Sequence, residues 1–546
     1  MSVIVNNNFS ERMLHPKCKP LPFWKKVTPK TFGFKCPGFL LCYFCFTRKK
    51  SNGLEVIMKL KIFFSVLILS ALSACAVGPD YVRPAAVKAM PPAFKEISGW
   101  KVARPSDDRI QGPWWQIYGD PLLNSLEDKV SVSNQNIKMA EAQFRQARAL
   151  VMAARSAYFP TIGIGVSFSR SSNSTTTSSN VGIPIQRTNT SDYSLPVSAS
   201  WEPDIWGKVR RSVESNRANA QASAAELAAA KLSIQTELAQ DYFQLRALDA
   251  QKKLFDTSVA LYQESLDLTT NRYNAGVASE ADIAQADTLL KTTKAQAIDI
   301  GVLRAQLEHA VALLTGTPAS SFSLPPLPLH ASVPAVPVGV PSELLERRPD
   351  VAAAERQMAA ANAQIGVAEA AYYPSVTLSA SGGFQSSSIS KWFTWPSRFW
   401  SFGPSVNWTI FDGGLRKAQT EEARAAYDAN VAAYRETTLV AFQEVEDNLA
   451  ALRILEEEAT AQDEAVKAAQ KTTAITTNQY KAGTAAYLNV ITAQTAELGN
   501  ERTAIDVLGR RLNASVLLIK ALGGGWDASS LPQAKELTTF KNINKQ

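Results

Sequence analysis

Few side chains in this sequence can do covalent or metal chemistry, and they are unevenly placed. Five cysteines and three histidines occur in 546 residues. Cys18, Cys36, Cys42 and Cys45 all precede Met58, and Cys75 is the one cysteine from residue 75 onward. Cys42-Tyr43-Phe44-Cys45 has a zinc-like gap, but the other cysteines fall irregularly and no histidine completes a ligand set. Beyond residue 74 the histidines are His309 and His330. His309 follows Gln306-Leu307-Glu308 on a helical apolar pattern and reads as a packing or surface residue. The sequence holds no Gly-x-Ser-x-Gly elbow, no His-Glu-x-x-His pair and no Gly-x-x-x-x-Gly-Lys loop. A hydrolase needs a positioned nucleophile and base, so the chain does not read as an enzyme or a metalloprotein. Cys75 is different. Two small residues, Ser73 and Ala74, precede it.

The segment before Cys75 has the build of an export leader. Met58-Lys59-Leu60-Lys61 is positively charged, and Ile62 to Leu69 is apolar apart from Ser65. That run is too short to span a bilayer. Leu72-Ser73-Ala74-Cys75 resembles a bacterial lipobox, which implies that residues 58–74 are a lipoprotein signal peptide. Cys75 would then become the N-terminus and carry an S-diacylglycerol and an N-acyl group; one chain alone anchors only marginally. Ala76, where other lipoproteins have Asp, points by the same resemblance to the outer membrane. Residues 1–57 show no helix or turn pattern around the apolar patch Phe39 to Phe46 and read as a spurious upstream extension. The overall charge of +8 comes from this end: residues 1–74 hold 12 basic residues against Glu11 and Glu55. The remainder carries 45 basic and 47 acidic residues, net −2, which argues against a nucleic-acid partner.

The rest of the chain is a duplication with a long period. Arg272-Tyr273-Asn274-Ala275-Gly276 recurs as Gln479-Tyr480-Lys481-Ala482-Gly483, an offset of 207, and Gly316 recurs as Gly523. Tyr158-Phe159-Pro160 pairs with Tyr372-Tyr373-Pro374, and Trp201 with Trp408. Each copy reads as a helix, two strands, one very long helix, a tight turn and another long helix. No proline follows Pro203, and no glycine follows Gly207, before Gly276. Within that stretch Leu227, Lys231, Ile234, Leu238, Asp241, Leu245, Leu248, Lys252, Phe255, Val259, Tyr262, Leu266, Thr269 and Tyr273 alternate at spacings of 4 and 3, a coiled-coil seam. A helix over 207–273 would be about 100 Å long at 1.5 Å per residue. The second copy repeats it over 415–480, with Val445, Leu452, Leu455, Val466 and Tyr480 in its seam.

Four segments alternate with period two. Ile162, Ile164, Val166 and Phe168 interleave with Gly and Ser, and Tyr193, Leu195, Val197, Ala199 and Trp201 with Ser194, Pro196, Ser198 and Ser200. In the second copy so do Val376, Leu378 and Ala380, then Trp400, Phe402, Val406, Trp408 and Ile410. Such strands suit a lipid-facing barrel or a soluble sandwich. In hydrocarbon four strands would leave two open edges, so a barrel must close by oligomerisation. Two copies would give eight strands and three would give twelve. The Ser/Thr/Asn run from Ser171 to Asn180 reads as a solvated loop. Trp392, Phe393, Trp395, Phe399 and Trp400 read as an interfacial aromatic belt or as a buried cluster. Thr317 to Pro341 reads as an extended connector lying against the helices.

Over residues 75–525 the sequence resembles the outer membrane factor lipoproteins of tripartite efflux pumps, the OprM/NodT branch of the TolC family. The resemblance rests on Cys75-Ala76-Val77-Gly78-Pro79-Asp80-Tyr81 with Arg83-Pro84, on Trp114-Trp115, Asp120-Pro121 and Arg347-Arg348-Pro349-Asp350, and on the paired Tyr-x-Ala-Gly turns. It implies a mixed α and β fold: a duplicated half-molecule building a coiled-coil tunnel and giving four strands to a trimeric, twelve-stranded barrel. Its segments would be an acylated linker (75–112), a first repeat (113–316), the connector (317–341), a second repeat (342–525) and a tail (526–546). The resemblance also implies a homotrimer in outer-membrane lipid, a periplasmic adaptor and, through it, an inner-membrane transporter. The function it implies is passive efflux of drugs or other small molecules; the alternatives are a type I protein-secretion outlet and a non-conducting structural envelope lipoprotein. In the family the hairpin tips meet the adaptor, which here marks Tyr273, Ala275, Gly276, Val277, Tyr480, Ala482, Gly483 and Thr484. Aspartates line the closed aperture just beyond the tip in the family. This sequence has Asn489 and Thr492 there, a departure that leaves Asp282 of the first copy as the charged aperture candidate.

Overall fold

The structure is a computed structural model, described here over residues 76–87, 90–97, 112–172, 189–327, 329, 332–336 and 343–538. Cys75, the leader, residues 1–57, His330 and most of the Ser171–Asn180 run lie outside the described residues. In chain order the helices are α1 (Pro121–Ser133), α2 (Gln135–Ser156), α3 (Lys208–Asn274), α4 (Glu280–Leu314), α5 (Leu344–Arg347), α6 (Pro349–Ala370), α7 (Leu415–Lys481) and α8 (Tyr487–Ala521). The strands are β1 (Thr161–Ile164), β2 (Ser167–Ser172), β3 (Asn189–Trp201), β4 (Ser375–Ser386) and β5 (Arg398–Asn407).

The duplication is metrically regular. Helices α3 and α7 have 67 residues each, α4 and α8 have 35 each, and α2 and α6 have 22 each. The single helix expected before each pair of strands is instead divided in both copies. In the first copy Asn134 is responsible: its side chain accepts from the backbone N–H of Asn136 (2.9 Å) and Ile137 (3.1 Å), capping α2 as α1 ends. In the second, Pro349 opens α6 at its first turn, where a missing N–H costs nothing.

The short helices flank the long ones by turns. Near the sheet, Ala218 of α3 packs on Ala359 and Ala360 of α6, and Ala225 on Ala352 and Ala353. Alanine pairs let these backbones approach closely. Farther along, Phe255 and Tyr262 of α3 pack with Leu290 of α4 and Leu498 of α8. Of the expected α3 seam, Ile234, Leu238, Leu245, Leu248, Phe255, Tyr262 and Thr269 are buried, while Lys231 and Tyr273 are exposed. Between these zones lies the largest core, where Trp114, Trp115 and Tyr118 meet Phe243, Leu449 and Leu512. The described connector lies against this level. Leu324 N–H donates to Glu308 (2.6 Å) and Leu327 N–H to Asp249 (3.0 Å), while Arg246 donates to the Pro325 carbonyl (2.8 Å).

The sheet runs β1/β2–β3–β4–β5, antiparallel throughout. Two strand expectations need correction. The segment from Ile162 to Ser169 is interrupted, although β1 and β2 keep one register against β3. The cause is Pro196, opposite Gly165: it accepts from Gly165 N–H (3.0 Å) but has no N–H to return. The last strand stops at Asn407, short of Trp408 and Ile410, because Asn407 pairs with Ser375, the first residue of β4, and the position before that is Pro374, which has no N–H. Trp408 instead donates its indole N–H to the Tyr372 carbonyl at 3.2 Å. Trp201 makes the matching bond to Tyr158 (3.1 Å) in the first copy.

Candidate functional site

Register decides what the sheet can do. It brings Ile162, Val197, Leu378 and Phe402 with all the other apolar alternates onto one face of four adjacent strands. The opposite face is Ser, Thr, Gly and amide residues almost throughout. The apolar face is bare: Ile162, Ile164, Trp400 and Phe402 are each more than 70% exposed. Tyr193 to Trp201 spans about 27 Å along the strand, the reach of a hydrocarbon layer. Among the described residues, β1/β2 and β5 are unpaired edges of the sheet. At the end away from the helices Phe393, Trp395 and Trp400 are exposed, whereas Trp392, 4.7 Å from Phe393, and Phe399 are half-buried, so the aromatics are part belt and part packed cluster.

The second feature is the pair of hairpin tips. At the end of α3, Val277 N–H donates to Arg272 O (2.9 Å) and Gly276 N–H to Tyr273 O (2.8 Å); Thr484 and Gly483 repeat both bonds at the end of α7. Gly276 (φ 77°) and Gly483 (φ 76°) occupy the left-handed position that this cap requires. The two tips are otherwise unlike. Tyr273 is exposed, as are Ala275, Gly276, Val277, Ala482, Gly483 and Thr484, but Tyr480 is buried. Its hydroxyl donates to Thr269 at 3.4 Å, its ring lies 5.1 Å from that of Tyr487, and Arg272 stacks 4.7 Å above it. Arg272 also donates to the Lys481 carbonyl at 3.1 Å, so it ties one hairpin to the other. The repeat has Gln479 at the matching position, and nothing in the sequence discloses this bond.

The aperture candidates separate by geometry. Asp282 accepts from Ser279 N–H (2.9 Å) while Ser279 Oγ accepts from Asp282 N–H (3.2 Å), a reciprocal cap that starts α4. Asn489 and Thr492 are exposed on α8, and Thr492 donates to the Leu488 carbonyl. His309 is exposed. Among the described residues no cluster of metal-ligating side chains occurs.

The third feature is the strap that follows Cys75. Val77 N–H donates to Trp206 O (3.1 Å), and Ala76 lies against Gly207 at the strand–helix junction. Buried Arg211 donates to Val77 O, Gly78 O and the Asp80 carboxylate, at 3.2, 3.0 and 2.8 Å. Gly78, at φ 98°, passes Gly366 so closely that a Cβ on it would sit 2.4 Å from the Gly366 Cα. The family-like motifs are framework too: Arg348 of Arg347-Arg348-Pro349-Asp350 bonds Asp350, Glu444 and the Ala521 carbonyl, joining α6, α7 and α8.

A two-faced sheet continued by hairpins of about 100 Å defines a channel that begins in a membrane and extends far beyond it. Residues 126–317 and 340–524 match the outer membrane efflux protein family, and the chain belongs to that family. It is 32% identical to the antibiotic efflux pump outer membrane protein ArpC of Pseudomonas putida, and equally to the toluene efflux pump outer membrane protein TtgC of that species. Each match covers 83% of this chain and 93% of the relative. The solved outer-membrane channel OprN superimposes with a TM-score of 0.77 at 30% identity, over 83% of this chain and 100% of that one. The protein is thus an efflux channel of the Gram-negative outer membrane, in a family that forms channels.

Proposed function

We propose that three copies close a twelve-stranded barrel and a common helical tunnel, the exit duct of a tripartite RND-type pump. The observation that carries this reading is the sheet, which shows one apolar face, one hydroxylic face and two unpaired edges. Hydrocarbon does not tolerate such edges, so copies must pair β5 with a neighbour's β1/β2. The exposed tip residues Tyr273, Ala275, Gly276, Val277, Ala482, Gly483 and Thr484 receive the periplasmic adaptor, which links the duct to an inner-membrane transporter. The cargo is drugs or other small molecules, as relatives named for antibiotics and toluene suggest. Aperture gating falls to the tip region around Asp282, Asn489 and Thr492, with Asp282 acting through its cap. Cys75 carries the lipid; the docking of Ala76 and Val77 at the strand–helix junction supports it.

The test pairs cysteines across the expected seam, one on β5 and one on β1, in full-length protein reconstituted into planar bilayers. Trimeric crosslinks together with discrete conductance steps are expected. Monomers that insert no pore would overturn the reading in favour of a structural lipoprotein.

A further inference from the structure

The hydroxylic face of the sheet is almost free of charge. From the register, its members on β1 and β2 are Thr161, Gly163, Ser167, Ser169 and Ser171, and β4 adds only Ser, Thr, Gly and Gln385. On β5 the face holds Phe399, Ser401, Gly403, Ser405 and Asn407. On β3 it holds Thr190, Asp192, Ser194, Pro196, Ser198 and Ser200. Asp192 is therefore the one ionisable residue on this face among the described strand residues. Arg170 and Arg398 fall on the opposite face. The carboxylate is held in place: Gln385 of β4 donates its amide N–H group toward both Asp192 oxygens, at 3.1 Å each. Asp192 sits near the start of β3, at the end of the sheet away from α3.

We propose that Asp192 sets the charge preference of the outer mouth, so that cationic and neutral solutes leave more readily than anions. This rests on the trimeric-barrel reading, which turns one carboxylate into a ring of three. Below the ring the wall offers hydroxyls and amides, which hydrogen-bond to any solute without sorting it by sign. At the ring, fixed negative charge raises the local cation concentration, and low-dielectric walls focus the field. The effect is long-ranged only in dilute salt, since the screening length is about 30 Å at 0.01 M and about 3 Å at 1 M.

The test measures the potential at the ring itself. Ser194 lies two residues from Asp192 on the same face, about 7 Å along the strand. Ser194→Cys is introduced into full-length protein in outer-membrane vesicles and treated with cationic and anionic methanethiosulfonates of similar size. Ile164→Cys, on the apolar face, is the control. With Asp192 present, the cationic reagent should react faster in 0.01 M salt, and Asp192→Asn should lower the cation-to-anion rate ratio on the order of fivefold. In 1 M salt the two backgrounds should coincide. A Ser194→Cys thiol that reacts readily, with a ratio indifferent to Asp192→Asn, would overturn the inference alone. A Ser194→Cys variant silent to both reagents while Ile164→Cys reacts would instead overturn the assignment of faces, and with it the barrel reading.

Discussion

Glu127 shows how a single residue can run against the rest of the design. It lies on α1, fully buried, and neither carboxylate oxygen has a hydrogen-bond partner. Burial, reinforced by neighbouring Asp128, pushes its carboxyl up to about 9. It is therefore a neutral acid at pH 7. Because the folded protein holds this proton more tightly than the unfolded chain, Glu127 favours folding fully below about pH 4.5. That contribution is lost as pH rises toward 9. Glu127→Gln is neutral at every pH, so its melting temperature should draw ahead of the parent progressively between pH 5 and 9. A difference that does not vary with pH would show that the carboxyl is paired and ionised. Asp241 of the α3 seam makes the contrast: burial and Glu237 push it up only to about 6. Periodicity marks Asp241 as a seam position but leaves Glu127 unremarked, because a carboxylate on a short helix looks solvated until its neighbours are known. Arg211 and Arg272 were hidden for the same reason, since each bonds to backbone more than a hundred residues away.

Among the elements, the two hairpins meet near their tips through the Tyr480–Thr269 contact, the packing around Tyr487 and one cationic side chain. Arg272 reaches from α3 to the Lys481 carbonyl at the end of α7 and covers the buried Tyr480 ring. Arg272→Ala removes a charged hydrogen bond and a stacking contact, each about 1 kcal/mol or somewhat more, without disturbing either glycine cap. The hairpins should separate more easily, so resting conductance in bilayers should rise severalfold while thermal stability changes little. Unchanged conductance would mean that the tips are held by packing around Tyr480 and Tyr487 instead. How legible each element was follows from its physics. The long helices were readable to within a residue or two, because 67 residues without an internal glycine or proline allow nothing else. Strand ends were less so: alternation continues through Trp408 and Ile410, and only the register that sets Asn407 opposite the first residue of β4 shows where β5 stops. The pause at Pro196 was visible as a residue type, but its effect depended on the register that sets it opposite Gly165. Asp282 was legible as an acid near the tip, whereas its cap with Ser279 is local geometry that the acid's position alone does not disclose.

At the scale of the whole molecule, placement in the envelope depends on two attachments that can be separated. One is the apolar face of the sheet, which three copies would bury in the bilayer. The other is the lipid proposed at Cys75, delivered to the strand–helix junction by the strap from Ala76 to Val87. A single acyl chain anchors marginally, whereas a doubly or triply acylated terminus anchors stably, so the lipid matters most before the barrel has assembled. Cys75→Ser should therefore abolish palmitate incorporation and slow trimer formation, yet the trimers that form should remain in the outer membrane. Arg211→Ala should do the reverse. Acylation continues, but the strap loses three hydrogen bonds from one buried guanidinium, which also donates to Glu214 on α3 itself. Losing this buried group costs at least about 1.4 kcal/mol, roughly a factor of ten in the opening equilibrium. Limited proteolysis of the strap should then run about tenfold faster than in the parent, with palmitate labelling unchanged. Equal cleavage rates would show that the close passage of Gly78 over Gly366, and not Arg211, holds the strap; Gly78→Ala, whose Cβ would sit 2.4 Å from the Gly366 Cα, would then be the variant that releases it.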